Sequence, residues 1–167
     1  MEHKNLAVEA LRKLLAGETK SRTRTNVVKN RQFSERIEEA MSRYHNRVID
    51  ALQVIQEMLD IARDLREEPE DGLTNEEKSF YDALAENGSA TELMGNADLR
   101  LIASELVKAV RENTGIDWWH FDQRRKKVRT TIRRILRKYG YPPDLEDAAI
   151  RTVVLQAEAL AAEVAKE

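Results

Sequence analysis

The sequence predicts an all-α fold, a single helical-bundle domain of six to seven helices arranged around one long spine helix. Two observations lead to this prediction. Charged residues make up 35% of the 167 residues and aromatic residues only 5%, with six Gly and three Pro, whereas strand-rich domains need more turns and more aromatic and β-branched residues. Apolar residues also recur at spacings of three and four over long runs, which is the period of an amphipathic helix.

The N-terminal region, residues 1–33, predicts one helix followed by a basic connection. The helix is expected to begin near Asn5 and to end before Gly17, because glycine often follows the last turn of a helix. Its apolar stripe consists of Leu6, Leu11, Leu14 and Leu15. Residues 19–30 are polar and basic and include poor helix formers, so we expect a partly helical connection there.

The strongest helical pattern covers residues 34–66 and predicts the spine helix. One apolar stripe continues through it, formed by Ile37, Met41, Tyr44, Val48, Ala51, Ile55, Met58, Ala62 and Leu65. The run contains neither Gly nor Pro, so no residue in it is expected to break a helix. A helix of this length would extend about 48 Å, and Pro69 and Gly72 are expected to end it.

The region over residues 74–165 predicts the remaining helices. Thr74 and Glu77 form a capping-box pattern at the start of one helix, because the two side chains can each bind the other's backbone N–H. Ser89 and Glu92 form a second such pattern before a short helix that stops at Gly95. The next helix is expected to begin at Asn96 or Asp98 and to end at the Asn113-Thr114-Gly115 sequence.

A basic helix is predicted over residues 123–139, after a cap at Asp117. Gly140 is expected to end this helix, and the following Tyr-Pro-Pro sequence predicts a rigid extended turn. Asp144 is then expected to cap the last helix, which continues to about Ala165.

The basic helix is the densest charge cluster of the sequence. Its nine cations are Arg124, Arg125, Lys126, Lys127, Arg129, Arg133, Arg134, Arg137 and Lys138. Cations at helical spacing can follow a phosphate backbone or an acidic protein surface. The candidate contact residues are Arg125, Arg129, Arg133 and Arg137. Alternatively, the arginines pair with acids on neighbouring helices, and the spine and its following loop offer Glu57, Asp60, Asp64, Glu67, Glu68, Glu70 and Asp71.

Three aromatic residues, Trp118, Trp119 and Phe121, directly precede the basic helix. Adjacent residues on a helix point in different directions, so the two indole rings are not expected to share one pocket. At least one Trp is expected to anchor the core. The ring of Trp119 is the candidate for an exposed interface anchor, because aromatic side chains dominate binding hot spots.

The sequence lacks the residue patterns of several classes of function. There is no Cys, which excludes disulfides and thiolate metal sites. The three His are scattered and suggest no metal site, and neither a phosphate-binding loop nor a nucleophile elbow is present. We therefore expect a chain that is not an enzyme and binds no cofactor or metal. An unusual nucleotide pocket against the basic helix is the remaining catalytic alternative.

No sequence feature predicts a membrane partner. The N-terminus is charged and amphipathic and lacks the apolar core of a signal peptide. No stretch approaches the roughly 18 apolar residues that a membrane span needs. We expect a cytoplasmic protein.

Four stretches of the sequence together resemble a known family. They are residues 30–40 (NRQFSERIEEA), 77–84 (EKSFYDAL), 115–118 (GIDW) and 134–144 (RILRKYGYPPD). From about residue 5 to residue 160, the chain is similar to the C-terminal helical region of the R (restriction, or motor) subunit of bacterial type I restriction-modification enzymes. The aromatic sequence Trp119-His120-Phe121 departs from the expected pattern.

The resemblance implies a non-catalytic assembly role in a DNA-cutting complex. The R subunits of that family use ATP and Mg to translocate and cleave DNA, together with specificity subunits and S-adenosylmethionine-dependent methyltransferase subunits. The helical region would dock the R subunit onto the methyltransferase core. The family's nuclease motif and helicase phosphate loop are absent from this sequence. The alternative function is a direct contact of the basic helix, residues 123–139, with the DNA backbone.

Overall fold

All regular elements of the computed structural model are helices within the residues that it describes, which are 2–67, 72–113 and 118–166. The eight α-helices are α1 (Glu2–Arg22), α2 (Val27–His45), α3 (Ala51–Arg66), α4 (Asn75–Ala85), α5 (Gly88–Met94), α6 (Asn96–Asn113), α7 (Asp122–Lys138) and α8 (Glu146–Lys166). Two short 3-10 helices, Trp118–His120 and Pro143–Leu145, precede α7 and α8. The predicted all-α class is confirmed, with eight α-helices in these ranges instead of six or seven.

The chain divides into two compact units. Unit 1 comprises the described residues of Met1–Arg24 and Lys29–Glu70, and unit 2 those of Thr25–Val28 and Asp71–Glu167. The core of unit 1 is formed by Val8, Leu15, Ile37, Ala40, Met41, Val54, Met58, Ile61 and Leu65. These residues come from α1, α2 and α3, so each of the three helices buries one apolar face within unit 1.

The predicted spine helix is wrong, because the chain turns between α2 and α3. The N–H of Arg47 bonds the carbonyl of Tyr44, and the N–H of Val48 bonds that of Arg43. This is the Schellman pattern, which ends a helix at a residue with left-handed backbone, and Arg47 has a φ of 59°. Asp50 then starts α3 in a capping box with Gln53.

The first helix is also longer than predicted. It continues through Gly17 to Arg22, and Thr19, beyond the predicted stop, is buried on its inner face. Packing of that face outweighs the low helix propensity of one glycine, which costs about 1 kcal/mol relative to alanine. The polar connection is therefore reduced to a short turn before Val27.

Unit 2 is built from α4 to α8. Its largest fully buried side chains are Phe80, Leu84, Leu99, Ile102, Leu106, Trp118, Ile132 and Leu136. Helix α4 packs against α6 and α8, while α7 packs against α6 and α8. The short segment Thr25–Val28 joins this unit through the buried amide of Gln156, which accepts from the N–H of Val27 and donates to the carbonyl of Thr25.

Several predicted helix ends of unit 2 are confirmed, whereas the predicted cap at Asp144 is wrong, because Asp144 lies inside the 3-10 helix Pro143–Leu145 that precedes α8. The capping box of Thr74 and Glu77 starts α4, and Gly95 ends α5. The predicted box at Ser89 is wrong, because Asn87 caps α5 by accepting a hydrogen bond from the N–H of Ser89. The predicted stop at Pro69 and cap at Asp117 lie outside the described residues.

Candidate functional site

Helix α7 is the basic helix, and one of its faces is part of the core of unit 2. Val128, Ile132 and Leu136 are fully buried there, at the spacing of four that brings residues to one side of a helix. Ile135 packs at the edge of the same core. This apolar stripe fixes which side of α7 each cation occupies.

Three of the four candidate arginines pair with acids of α8. Arg125 approaches Glu158 at 3.0 Å, whereas Arg133 and Arg137 both approach Glu146, at 3.1 and 3.2 Å. Because the start of α7 meets the later part of α8 and its end meets the first turn of α8, the two helices run antiparallel.

Glu146 is the central acid of this arrangement. Its side chain is only 8% exposed and lies between the guanidinium groups of Arg133 and Arg137. Arg133 also reaches Asp147 at 3.3 Å, but that carboxylate is 81% exposed. A shielded carboxylate shared by two guanidinium groups is less screened by solvent than an exposed pair. We call these four contacts, formed by Arg125, Arg133, Arg137, Glu146, Asp147 and Glu158, the α7–α8 clamp.

Three of the acids that the sequence offered as partners pair instead with arginines of unit 1. In unit 1, Glu57 pairs with Arg43 at 2.6 Å, and Asp64 pairs with Arg36 at 3.0 Å. Asp60 lies 3.5 Å from Arg63 of its own helix. The proposed acids Glu68, Glu70 and Asp71 lie outside the described residues.

The fourth candidate, Arg129, is exposed and pairs with no acid in the described part of the chain. It continues the row of Arg125 and Arg133 at the same spacing of four. Three further cations of α7 have the same status, namely Lys126, Lys127 and Arg134. The candidate contact residues predicted from the sequence did not include these three, because spacing alone does not separate paired from unpaired cations on one helix.

An aromatic cluster lies at the start of α7. Trp118 is 1% exposed and belongs to the core, which confirms that one Trp is an anchor. The ring of Trp119 is half-buried and meets that of Trp118 edge to face, with the centroids 6.2 Å apart. Phe121 is 53% exposed, and the guanidinium of Arg124 lies over its ring, 5.0 Å from the centroid. Trp119 therefore has a ring surface accessible beside the more exposed Phe121.

The turn after α7 is fastened to α4. Gly140 has a φ of 76°, a left-handed conformation in which glycine avoids the steric cost of a side chain. The following Tyr141 is buried, and its hydroxyl donates to the carbonyl of Leu84 at 2.9 Å. Burial also raises the pKa of the Tyr141 hydroxyl. These contacts fix the direction in which the chain leaves α7 and enters α8.

Nowhere among the described residues do three or more His, Asp or Glu side chains form a group that could hold a metal ion. None of the described helices has the length and apolar character of a membrane span. Three surface cavities, of about 610, 420 and 570 Å³, have no lining residue from α7.

Comparison with known proteins identifies the family of the chain. Residues 1–163 match the family described as type I restriction enzyme HindI endonuclease subunit-like, C-terminal. The chain belongs to this family. It is 37% identical over 162 residues to the type I restriction enzyme HindI endonuclease subunit of Haemophilus influenzae, an alignment that covers 95% of this chain and 15% of that protein. The resemblance inferred from the four sequence stretches is thus confirmed.

A second relative is more distant. A Methanocaldococcus jannaschii protein named "Putative type I restriction enzyme MjaIXP endonuclease subunit" is 28% identical over 145 residues, which cover 84% of this chain and 14% of that protein. The chain therefore spans about 15% of the length of these curated relatives. No solved structure matches the sequence.

The stretch over residues 134–144, one of the four that resemble the R-subunit family, has a clear structural role. It contains the end of α7, the left-handed Gly140 and the buried Tyr141. It also supplies one of the three clamp residues of α7, Arg137, while Arg133 lies one position upstream. In this member of the HindI-like family, the recognisable motif therefore builds the corner between α7 and α8.

Proposed function

We propose that this chain is a non-catalytic assembly module of a type I restriction endonuclease subunit. In this proposal it docks the DNA-translocating and DNA-cleaving subunit onto a methyltransferase core, with methyltransferase and specificity subunits as partners. ATP, Mg and S-adenosylmethionine would be used elsewhere in that cytoplasmic complex. Membership of the endonuclease-subunit family supports the proposal, because the assigned region is the C-terminal part of such subunits.

The observation that carries the proposal is the aromatic cluster at the start of α7. Trp119 and Phe121 expose ring surface, and Arg124 stacks on Phe121. Tryptophan, tyrosine and arginine are the residues most enriched at the energetic centres of protein interfaces. The ring of Trp119 packs against the buried ring of Trp118. Little side-chain freedom would therefore be lost when a partner covers the cluster.

The direct test replaces Phe121 with alanine in the endonuclease subunit that contains this chain. Loss of an interface anchor typically weakens binding by 1–2 kcal/mol or more, which is about a 5- to 30-fold rise in Kd. Titration of the labelled subunit into the methyltransferase and specificity subunits measures this Kd. The matched control is Leu93→Ala, which removes an apolar side chain that is 70% exposed in the same unit and should leave Kd unchanged.

A second variant guards against a purely structural effect. Trp119→Ala should weaken assembly at least as much as Phe121→Ala, with circular dichroism used to confirm that the helices are retained. Unchanged assembly by both variants would refute docking through this cluster. Arg129→Glu tests the candidate arginine row without touching the clamp, whereas reversal of Arg133 or Arg137 would place a second carboxylate beside that of Glu146.

A further inference from the structure

The side of α7 that faces away from the core carries a row of exposed cations. Lys126, Lys127 and Arg134 are exposed there together with Thr130, and none of the three cations pairs with an acid in the described residues. Lys126 and Arg134 are eight positions apart, about 12 Å along the helix. We call Lys126, Lys127 and Arg134 the outer row.

Positive charge is concentrated on α7, and the remaining residues of the chain are net negative. Helix α7 contains nine Lys or Arg and one acid, Asp122, and so has a formal charge of +8. Because the whole chain has a net charge of −2, the residues outside α7 carry −10. The clamp neutralises only the arginines that face α8. A partner with negative charges would therefore be attracted specifically to the outer side of α7.

The composition of this face favours a phosphate backbone over a protein. Between Gln123 and Arg134, the exposed outer positions carry only amide, hydroxyl and cationic groups, with no apolar side chain among them. The centres of protein interfaces are apolar or aromatic and depleted in Lys, whereas DNA interfaces are polar and strongly positive. The aromatic cluster at the start of the same helix has the opposite character.

We propose that the outer row of α7 binds the phosphate backbone of duplex DNA without reading its sequence. The clamp and the buried stripe hold the helix in place, so the three cations are presented together and not as independent flexible charges. The threonine hydroxyl in the row bonds back to the carbonyl of Lys126, so the cations are the groups left to meet phosphate. This proposal does not depend on the docking proposed above, because it uses different side chains.

The test compares duplex binding by the chain and by a triple variant, Lys126→Gln, Lys127→Gln and Arg134→Gln. Each neutralised phosphate contributes about 0.9 to the slope of log affinity against log salt concentration. The variant is expected to lower this slope by about 2.7. Between about 50 and about 200 mM salt, the original chain should then lose about 40-fold more affinity than the variant. Fluorescence anisotropy with a labelled random-sequence duplex measures both constants.

The matched control changes the same number of charges elsewhere. Lys4→Gln, Lys13→Gln and Lys20→Gln alter three exposed lysines of α1 and should leave the slope unchanged. An equal loss in the control would show that net charge alone is responsible and would overturn the proposal. So would absence of duplex binding at about 50 mM salt and 100 µM protein, given typical non-specific Kd values of about 1–100 µM. Binding of polyglutamate instead, lost in the triple variant, would indicate an acidic protein partner.

Discussion

Helix α7 carries two sets of cations that the sequence does not distinguish but that the structure places in different surroundings. Arg125, Arg133 and Arg137 meet carboxylates of α8. Lys126, Lys127 and Arg134 have no acid within reach in the described residues. Each set contains three charges on the same helix. The first set contributes to the packing of unit 2, whereas the second set remains available to bind a partner. The difference shows that a basic helix must be divided by face before any of its residues is assigned to binding.

The largest expected effect comes from removing the apolar stripe that orients both sets. Leu136→Ala should lower the free energy of unfolding by about 2–5 kcal/mol, because it leaves a cavity at a side chain with no exposed surface. Urea denaturation measures the loss. Leu155→Ala, at a residue that is 53% exposed on α8, is the control and should cost less than about 1 kcal/mol. If Leu136→Ala lowered the free energy of unfolding by less than about 1 kcal/mol, the apolar stripe would not be what holds α7 in place.

Next in size is the removal of the shared acid of the clamp. Glu146→Gln should cost about 1–2 kcal/mol, since two arginines lose a charged acceptor that is largely shielded from water. Asp147→Asn is the matched control in the same first turn of α8, and its exposed carboxylate should contribute less than about 0.5 kcal/mol. Equal losses in the two variants, measured by urea denaturation, would contradict the central role given to Glu146.

A smaller effect is expected at the corner between the two helices. Tyr141→Phe removes the hydrogen bond to the Leu84 carbonyl and should cost about 1 kcal/mol, the usual net contribution of one buried hydrogen bond. Chemical denaturation of the variant measures the change. Tyr139→Phe, at the half-buried neighbouring tyrosine, should change stability by less than about 0.5 kcal/mol. If both variants behave alike, the hydroxyl of Tyr141 does not fasten the corner.

The smallest expected effect is the sharpest test of the comparison. Neutralising the outer row with glutamine should change the free energy of unfolding by less than about 0.5 kcal/mol, because no ion pair is lost. The same replacement at Arg125, Arg133 and Arg137 removes an identical charge but should cost about 1–2 kcal/mol in total. Thermal and urea unfolding of the two triple variants give this difference, and equal stabilities would abolish the distinction between the two sets.

The sequence was sufficient for elements whose signals are local. The buried residues Val128, Ile132 and Leu136 follow from their spacing alone, and the capping box at Thr74 follows from two side chains three positions apart. The acids of the clamp could not be predicted in this way. Glu146 and Glu158 reach α7 only because the corner at Gly140 and Tyr141 turns α8 back along it.

The division of the predicted spine was missed for a different reason. Apolar residues continue at spacings of three and four across residues 46–50, although the helix does not. Val48, which belongs to this apparent stripe, is 68% exposed. Asp50 and Gln53 form a capping box, and this pair was the available sequence signal. An Asp followed three positions later by Gln can start a new helix inside a run that contains neither Gly nor Pro.

The conformation of Arg47 limits what this position can accept. A side chain with a left-handed backbone is tolerated at a steric cost, and only glycine, or asparagine to a lesser degree, would adopt it readily. Branching at the β-carbon makes that cost greater, so valine or isoleucine would oppose the chain reversal that lets α2 and α3 share one core. The residue type at position 47 in a related chain therefore indicates whether that chain can form the same turn between α2 and α3.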